Sequence, residues 1–85
     1  MKLSVAHNIM KLTPDEQARA VGHVVRIAVY KNEDSTQISQ SVGVLKYLII
    51  QQDHVTYALE GFSVDGRYST SAAYGLIQWP RNVGS

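Results

Sequence analysis

The side chains able to do chemistry are scattered along this sequence, and their spacing limits which chemistry is open to them. Three histidines, His7, His23 and His54, are candidates for holding a metal. No two of them have the spacing that places two ligands on one helical face, and no carboxylate can be assigned behind any of them. Nucleophilic catalysis needs a base held against Ser or Thr, with a third group orienting the base. Ser and Thr are plentiful, but neither Gly-x-Ser-x-Gly nor a Gly-rich phosphate loop occurs. Paired carboxylates occur only as Asp15-Glu16 and Glu33-Asp34. Both pairs sit at expected helix starts, where capping and the helix dipole account for them. The expectation is a protein that is not an enzyme and uses no metal or cofactor.

Binding chemistry is better represented. The aromatics Tyr47, Tyr57, Phe62, Tyr68, Tyr74 and Trp79 fall in the second half of the chain, interleaved with Lys46, Arg67 and Arg81. Such a set can stack bases or anchor a protein interface. Equally, Phe62 and Trp79 can complete a core and leave the tyrosines partly exposed. The net charge is +1, with no block of like charge. Nucleic-acid binding would therefore require the fold, or a dimer, to gather scattered basic residues on one face.

Length and composition frame these options. Eighty-five residues form a single domain, residues 1–85, with 45% hydrophobic and 18% charged residues, which suits a globular fold. A core this small is only marginally stabilising, so a homodimer is expected. The absence of cysteine excludes disulfides and thiolate metal sites. The first residues are too short and polar for a signal peptide, and no run reaches the roughly 18 apolar residues of a membrane span. A cytoplasmic protein without membrane association is expected.

The elements that must position these residues centre on residues 34–53, the densest cluster of large aliphatics. One reading makes it a single helix capped by Asp34 or Ser35, with Ile38, Val42, Leu45 and Ile49 as its apolar stripe. Another lets Gly43 end a first helix in a left-handed turn, with a second helix starting near Leu45.

Before this segment, Thr13 and Glu16 form a capping box with Pro14 at the first helical position. The favoured reading continues that helix through Tyr30. Its rival stops at Gly22 and makes residues 23–31 a β-branched strand. After Asp53, alternation at Val55, Tyr57 and Leu59 and the Asp65-Gly66 pair predict a hairpin, with Arg67 starting the return strand. A short helix through Ala72, Ala73, Leu76 and Ile77 follows, stopped by Pro80. Residues 1–12 fit a short helix through Leu3, Ala6 and Met10 or a short strand, and residues 81–85 a frayed tail.

With Ile38, Val42, Val44 and Ile49 pointing inward, Ser39 at the close approach and Gly43 in the turn, residues 34–53 resemble a helix-turn-helix. The layout as a whole is similar to a small winged-helix regulator. Gln52 and the crowded aliphatics Leu45, Leu48 and Ile50 depart from that pattern. The resemblance implies an α+β fold, a compact, mostly helical domain with a small β-hairpin. It also implies duplex DNA as partner, read by Lys46, Tyr47, Gln51 and Gln52, with Arg67 on the wing. The alternative is a protein-binding inhibitor or adaptor, with Leu45, Leu48 and Ile50 forming a dimer or partner interface.

Overall fold

The computed structural model describes residues 6–79 and shows an antiparallel β-protein, not a helical one. The expectations for Leu3 and for residues 81–85 lie outside the described residues. The chain runs β1 (His7–Asn8), a 3-10 turn (Ile9–Lys11), α1 (Pro14–Ala20), β2 (Val24–Lys31), β3 (Gln37–Ile50), β4 (His54–Leu59), β5 (Gly66–Ser69) and β6 (Ala73–Gln78). The strands hydrogen-bond in the order β1-β6-β2-β3-β4-β5. Among the described residues, no helix is long and apolar enough to cross a membrane.

The capping box forms as the sequence dictates. The Thr13 amide donates to Glu16 Oε1 at 2.9 Å, and the Glu16 amide donates to Thr13 Oγ1 at 3.2 Å. The helix nonetheless stops at Ala20, and its expected continuation to Tyr30 is wrong. Gly22 turns the chain with φ +88°, a conformation glycine adopts without steric penalty. Its amide then donates to the Leu45 carbonyl, and the Leu45 amide donates to the His23 carbonyl. The β-branched run that follows becomes β2, with Val25, Ile27 and Val29 buried on one face.

The central segment departs furthest from expectation. It is one fourteen-residue strand, β3, and Gly43 lies within it without positive φ, so there is no helix-turn-helix and no winged helix. Residues 37–44 pair with β2, and Leu45 to Ile50 pair with β4. A bulge at Lys46 shifts the register with β4 between Leu45 and Tyr47. One extra residue reverses which parity faces inward. Leu45 is therefore core, and so are the even-numbered Leu48 and Ile50 after the bulge. Before it the inward positions are Ser39, Ser41 and Gly43, opposite Val29, Ile27 and Val25. Small residues where a strand normally shows large ones, plus a parity change, produced the three- and four-residue spacing of a helix.

The C-terminal helix is also a strand. Ala73, Gly75 and Ile77 are buried while Tyr74, Leu76 and Gln78 are half-buried, the alternation of β6. The expected hairpin does form, as β4 and β5. Its reversal lies in residues 60–65, with Gly61 at φ +87°, and Gly66 opens the return strand. A Cβ there would overlap the ring of Tyr57, so the chain needs glycine for close packing. The core fills the hollow of this bent sheet around Ile9, Val25, Ile27, Leu45, Val55 and Ile77. Phe62 takes no part in it and stands exposed.

Candidate functional site

Because β3 belongs to both halves of the sheet, two of its flanks meet at a seam. On one side lie residues 37–42 of β3, paired with β2 alone; on the other lies β5, paired with β4 alone. Ile38 and Ser39 border a groove of about 400 Å³ together with Arg67, Tyr68 and Ser69. Val29 and Ala73 contribute apolar lining to this groove, and Lys31 and Glu33 contribute charge. Farther along, Ser41 borders a smaller depression with Gly66, Phe62 and Val64.

Two tyrosines support this seam from within. Burial pushes the Tyr57 phenol above its ordinary pKa, and a hydrogen bond from Ser39 opposes that shift. Tyr68 is buried, with its hydroxyl against the backbone of Gly75, where a Cβ would come within 2.6 Å of it. That hydroxyl has no hydrogen-bond partner of good geometry. Burial pushes its pKa up to about 12, the nearby Tyr57 adds to the shift, and the Gly75 amide tempers it.

Beside the groove lies a polar chain that the sequence reading missed. His54 Nδ1 lies 2.8 Å from Asp53 Oδ1, and His54 Nε2 lies 3.0 Å from Arg67 Nη2. A guanidinium can only donate, so Nε2 accepts and Nδ1 carries the proton given to Asp53. Ser69, the cross-strand neighbour of His54, has its hydroxyl 2.9 Å from that of Ser71. Serine, histidine and aspartate thus gather here, but the nitrogen that would take a serine proton already accepts from Arg67. The arrangement orders the surface and leaves no free base. The adjacent Asp53-His54 pair was visible in sequence; its pairing with Arg67 depends on the β4–β5 register.

The residues expected to read DNA are not assembled as one reading face. Lys46 is exposed at the bulge, and Tyr47 donates its hydroxyl to Asp65, which pushes the phenol pKa upward. Gln51 and Gln52 occupy the turn between β3 and β4, and Arg67 is on β5 beside His54. The expected interface residues are placed elsewhere too. Leu45 is 1% exposed in the core, and Leu48 and Ile50 pack against it. On and beside β3 the exposed large hydrophobics are instead Ile38, Val42 and Ile49, with Phe62 and Val64 in the loop that follows β4.

Among the described residues, no three His, Cys, Asp or Glu side chains group as metal ligands. His7 is stacked on Trp79 with ring centroids 5.0 Å apart, His23 follows α1, and His54 opens β4. Compared with known protein families, curated proteins and solved structures, the chain matches none.

Proposed function

We propose that this chain is a small, non-catalytic regulatory protein, an inhibitor or adaptor that takes an extended protein segment as an added strand along residues 37–42. One observation carries the reading: among the described residues these have no second strand neighbour, and they bear no charged side chain and no proline. Natural edge strands are commonly blunted by such residues because unpaired amides and carbonyls recruit other strands. Here the edge is interrupted at Ile38, where the register with β2 slips. The groove beside this edge is mainly apolar at Val29, Ile38, Tyr68 and Ala73, with Lys31 and Arg67 at its rim. Strand addition uses both features: backbone hydrogen bonds provide affinity, and alternate side chains entering a groove provide selectivity.

The DNA-reading alternative depended on a recognition helix, and the residues assigned to it occupy a strand, a turn and a second strand. Strand addition is tested by selecting peptides from a random display library on the immobilised protein and mapping them by amide chemical shifts. Enriched peptides should alternate apolar and polar residues and perturb the amides of residues 37–42. Peptides that map to α1 or to the outer side of β6 would overturn the proposal.

A further inference from the structure

Residues 38–42 read Ile-Ser-Gln-Ser-Val, a sequence whose chemistry is the same in both directions about Gln40. In an antiparallel pair with a two-fold axis at one residue, each position before that residue faces the equivalent position after it on the other strand. Centred at Gln40, Ile38 faces Val42, Ser39 faces Ser41, and Gln40 faces its own copy. Two apolar pairs and two serine pairs result, with no like charges opposed, and such cross-strand pairs stabilise sheets. Moving the axis to Ser41 sets Gln40 against Val42 and Ser39 against Gly43. Moving it to Ser39 sets Ile38 against Gln40. Of these three registers, only the one at Gln40 sets both Ile38 and Val42 against an apolar partner.

The structure leaves these residues open for that use. Ile38 and Val42 are each 53% exposed on a stretch whose outer edge pairs with no other strand among the described residues. Gln40 is exposed, and its Oε1 accepts from Arg26 Nη2 at 2.8 Å. That bond orients the side-chain amide and leaves its NH₂ group to donate across the axis. The available edge is short. At one end the register with β2 slips at Ile38; at the other, the Glu60 amide donates to the Val44 carbonyl and Phe62 packs close to Gly43. The self-matching stretch fits between these stops.

We infer that the occupant of this edge is a second copy of the chain, paired antiparallel through β3 about Gln40, so that the β6-β2-β3 sheets of two copies become one continuous sheet. This rests on the strand-addition reading above and names its occupant. Phe62 and Val64, both exposed beside the same edge, would stand at the rim of the dimer.

The chain contains no cysteine, so single-cysteine variants report proximity without background. Directly opposed residues of an antiparallel pair lie about 4.5–5.5 Å apart at Cα, within disulfide range. Under mild oxidation, Gln40→Cys should form a covalent dimer, whereas Arg67→Cys and Gln52→Cys should not. Ile38→Cys and Val42→Cys should cross-link when mixed and poorly when separate. By sedimentation at micromolar concentration the parent should be dimeric and Val42→Lys monomeric but folded, the parent's thermal midpoint rising with concentration and the variant's staying constant. A monomeric parent, or cross-linking strongest at Arg67→Cys, overturns the inference. If selected peptides still perturb residues 37–42 of a monomeric parent, strand addition stands and only the second copy is wrong. If neither binds there, both readings fall.

Discussion

The two halves of β3 are chemically unlike, though they form one continuous strand. In the stretch from Leu45 to Ile50, Leu45, Leu48 and Ile50 point into the core and Ile49 is exposed. Residues 37–44 turn serines and Gly43 inward, and expose Ile38 and Val42. The inner half must be large because Leu45, Leu48 and Ile50 pack into or against the core beneath β4. The outer half must be small on its inner face because Tyr57 reaches Ser39, and Leu59 and Phe62 approach Gly43. Its aliphatics are therefore left for the surface. One half of the strand stabilises the fold, and the other is free to associate.

The largest effect should come from testing that division directly. Leu45→Ala should cost about 2–5 kcal/mol, the range for emptying a packed leucine site. Val42→Ala, three residues away, should stay within about 0.5 kcal/mol, as surface changes do, when unfolding is followed in protein dilute enough to be monomeric. Urea midpoints at constant slope measure both. Similar losses at the two sites would show that the outer half is buried by something and would break the comparison. Next in size is Gly66→Ala, which forces a Cβ into the Tyr57 ring. Overpacking of this kind costs about 1–3 kcal/mol. The loss should be accompanied by faster amide exchange in β4 and β5, the half of the sheet that Tyr57 holds closed.

Thr13→Ala tests an element outside the comparison and should cost about 0.5–2 kcal/mol. Glu16 has its pKa held below the ordinary carboxylate value, first by the Thr13 backbone amide. Its contribution is therefore present above the unfolded pKa and lost as pH falls through the folded one. Thr13→Ala keeps that backbone amide, so its stability should fall in acid much as the parent's does, whereas Glu16→Gln should lack the fall through this window.

How much was legible follows the same division between local and distant causes. The capping box and Pro14 were readable because a helix start is decided within four residues. The β4–β5 hairpin was readable because Val55, Tyr57 and Leu59 alternate without interruption. The end of α1 was not fixed by Gly22 alone: the hydrogen bonds that stop the helix come from Leu45, more than twenty residues away. Residues 34–53 were misread because the bulge at Lys46 shifts inward parity, and because inward serines hide a strand pattern. The seam was not legible at all, since it exists only where β3 and β5 approach. Ile-Ser-Gln-Ser-Val carries no charge or proline and mirrors itself, which suits an edge strand better than the first helix of a helix-turn-helix.

The smallest effect at neutral pH, and the most specific, belongs to Tyr68 on β5. Its ring fills the core side of the groove, but its buried hydroxyl has no well-placed acceptor or donor. Removing such a hydroxyl while keeping the ring relieves a desolvated polar group, so Tyr68→Phe should be neutral or slightly stabilising near pH 7. The two proteins should separate in alkali. An unfolded tyrosine ionises near its ordinary value of 10.0, whereas folded Tyr68 holds its proton to about 12. The unfolded chain thus loses a proton first, and the parent's stability should fall as pH rises from the lower value to the higher. Tyr68→Phe removes that contribution, leaving Tyr57, whose pKa is also raised, to account for much of the remaining alkaline loss. Urea unfolding at stepped pH, with tyrosinate absorbance followed in parallel, measures the difference. Parallel stability curves for parent and variant across this range would mean that the Tyr68 hydroxyl is open to water, and the β5 side of the groove would then be a loose edge instead of a firm wall.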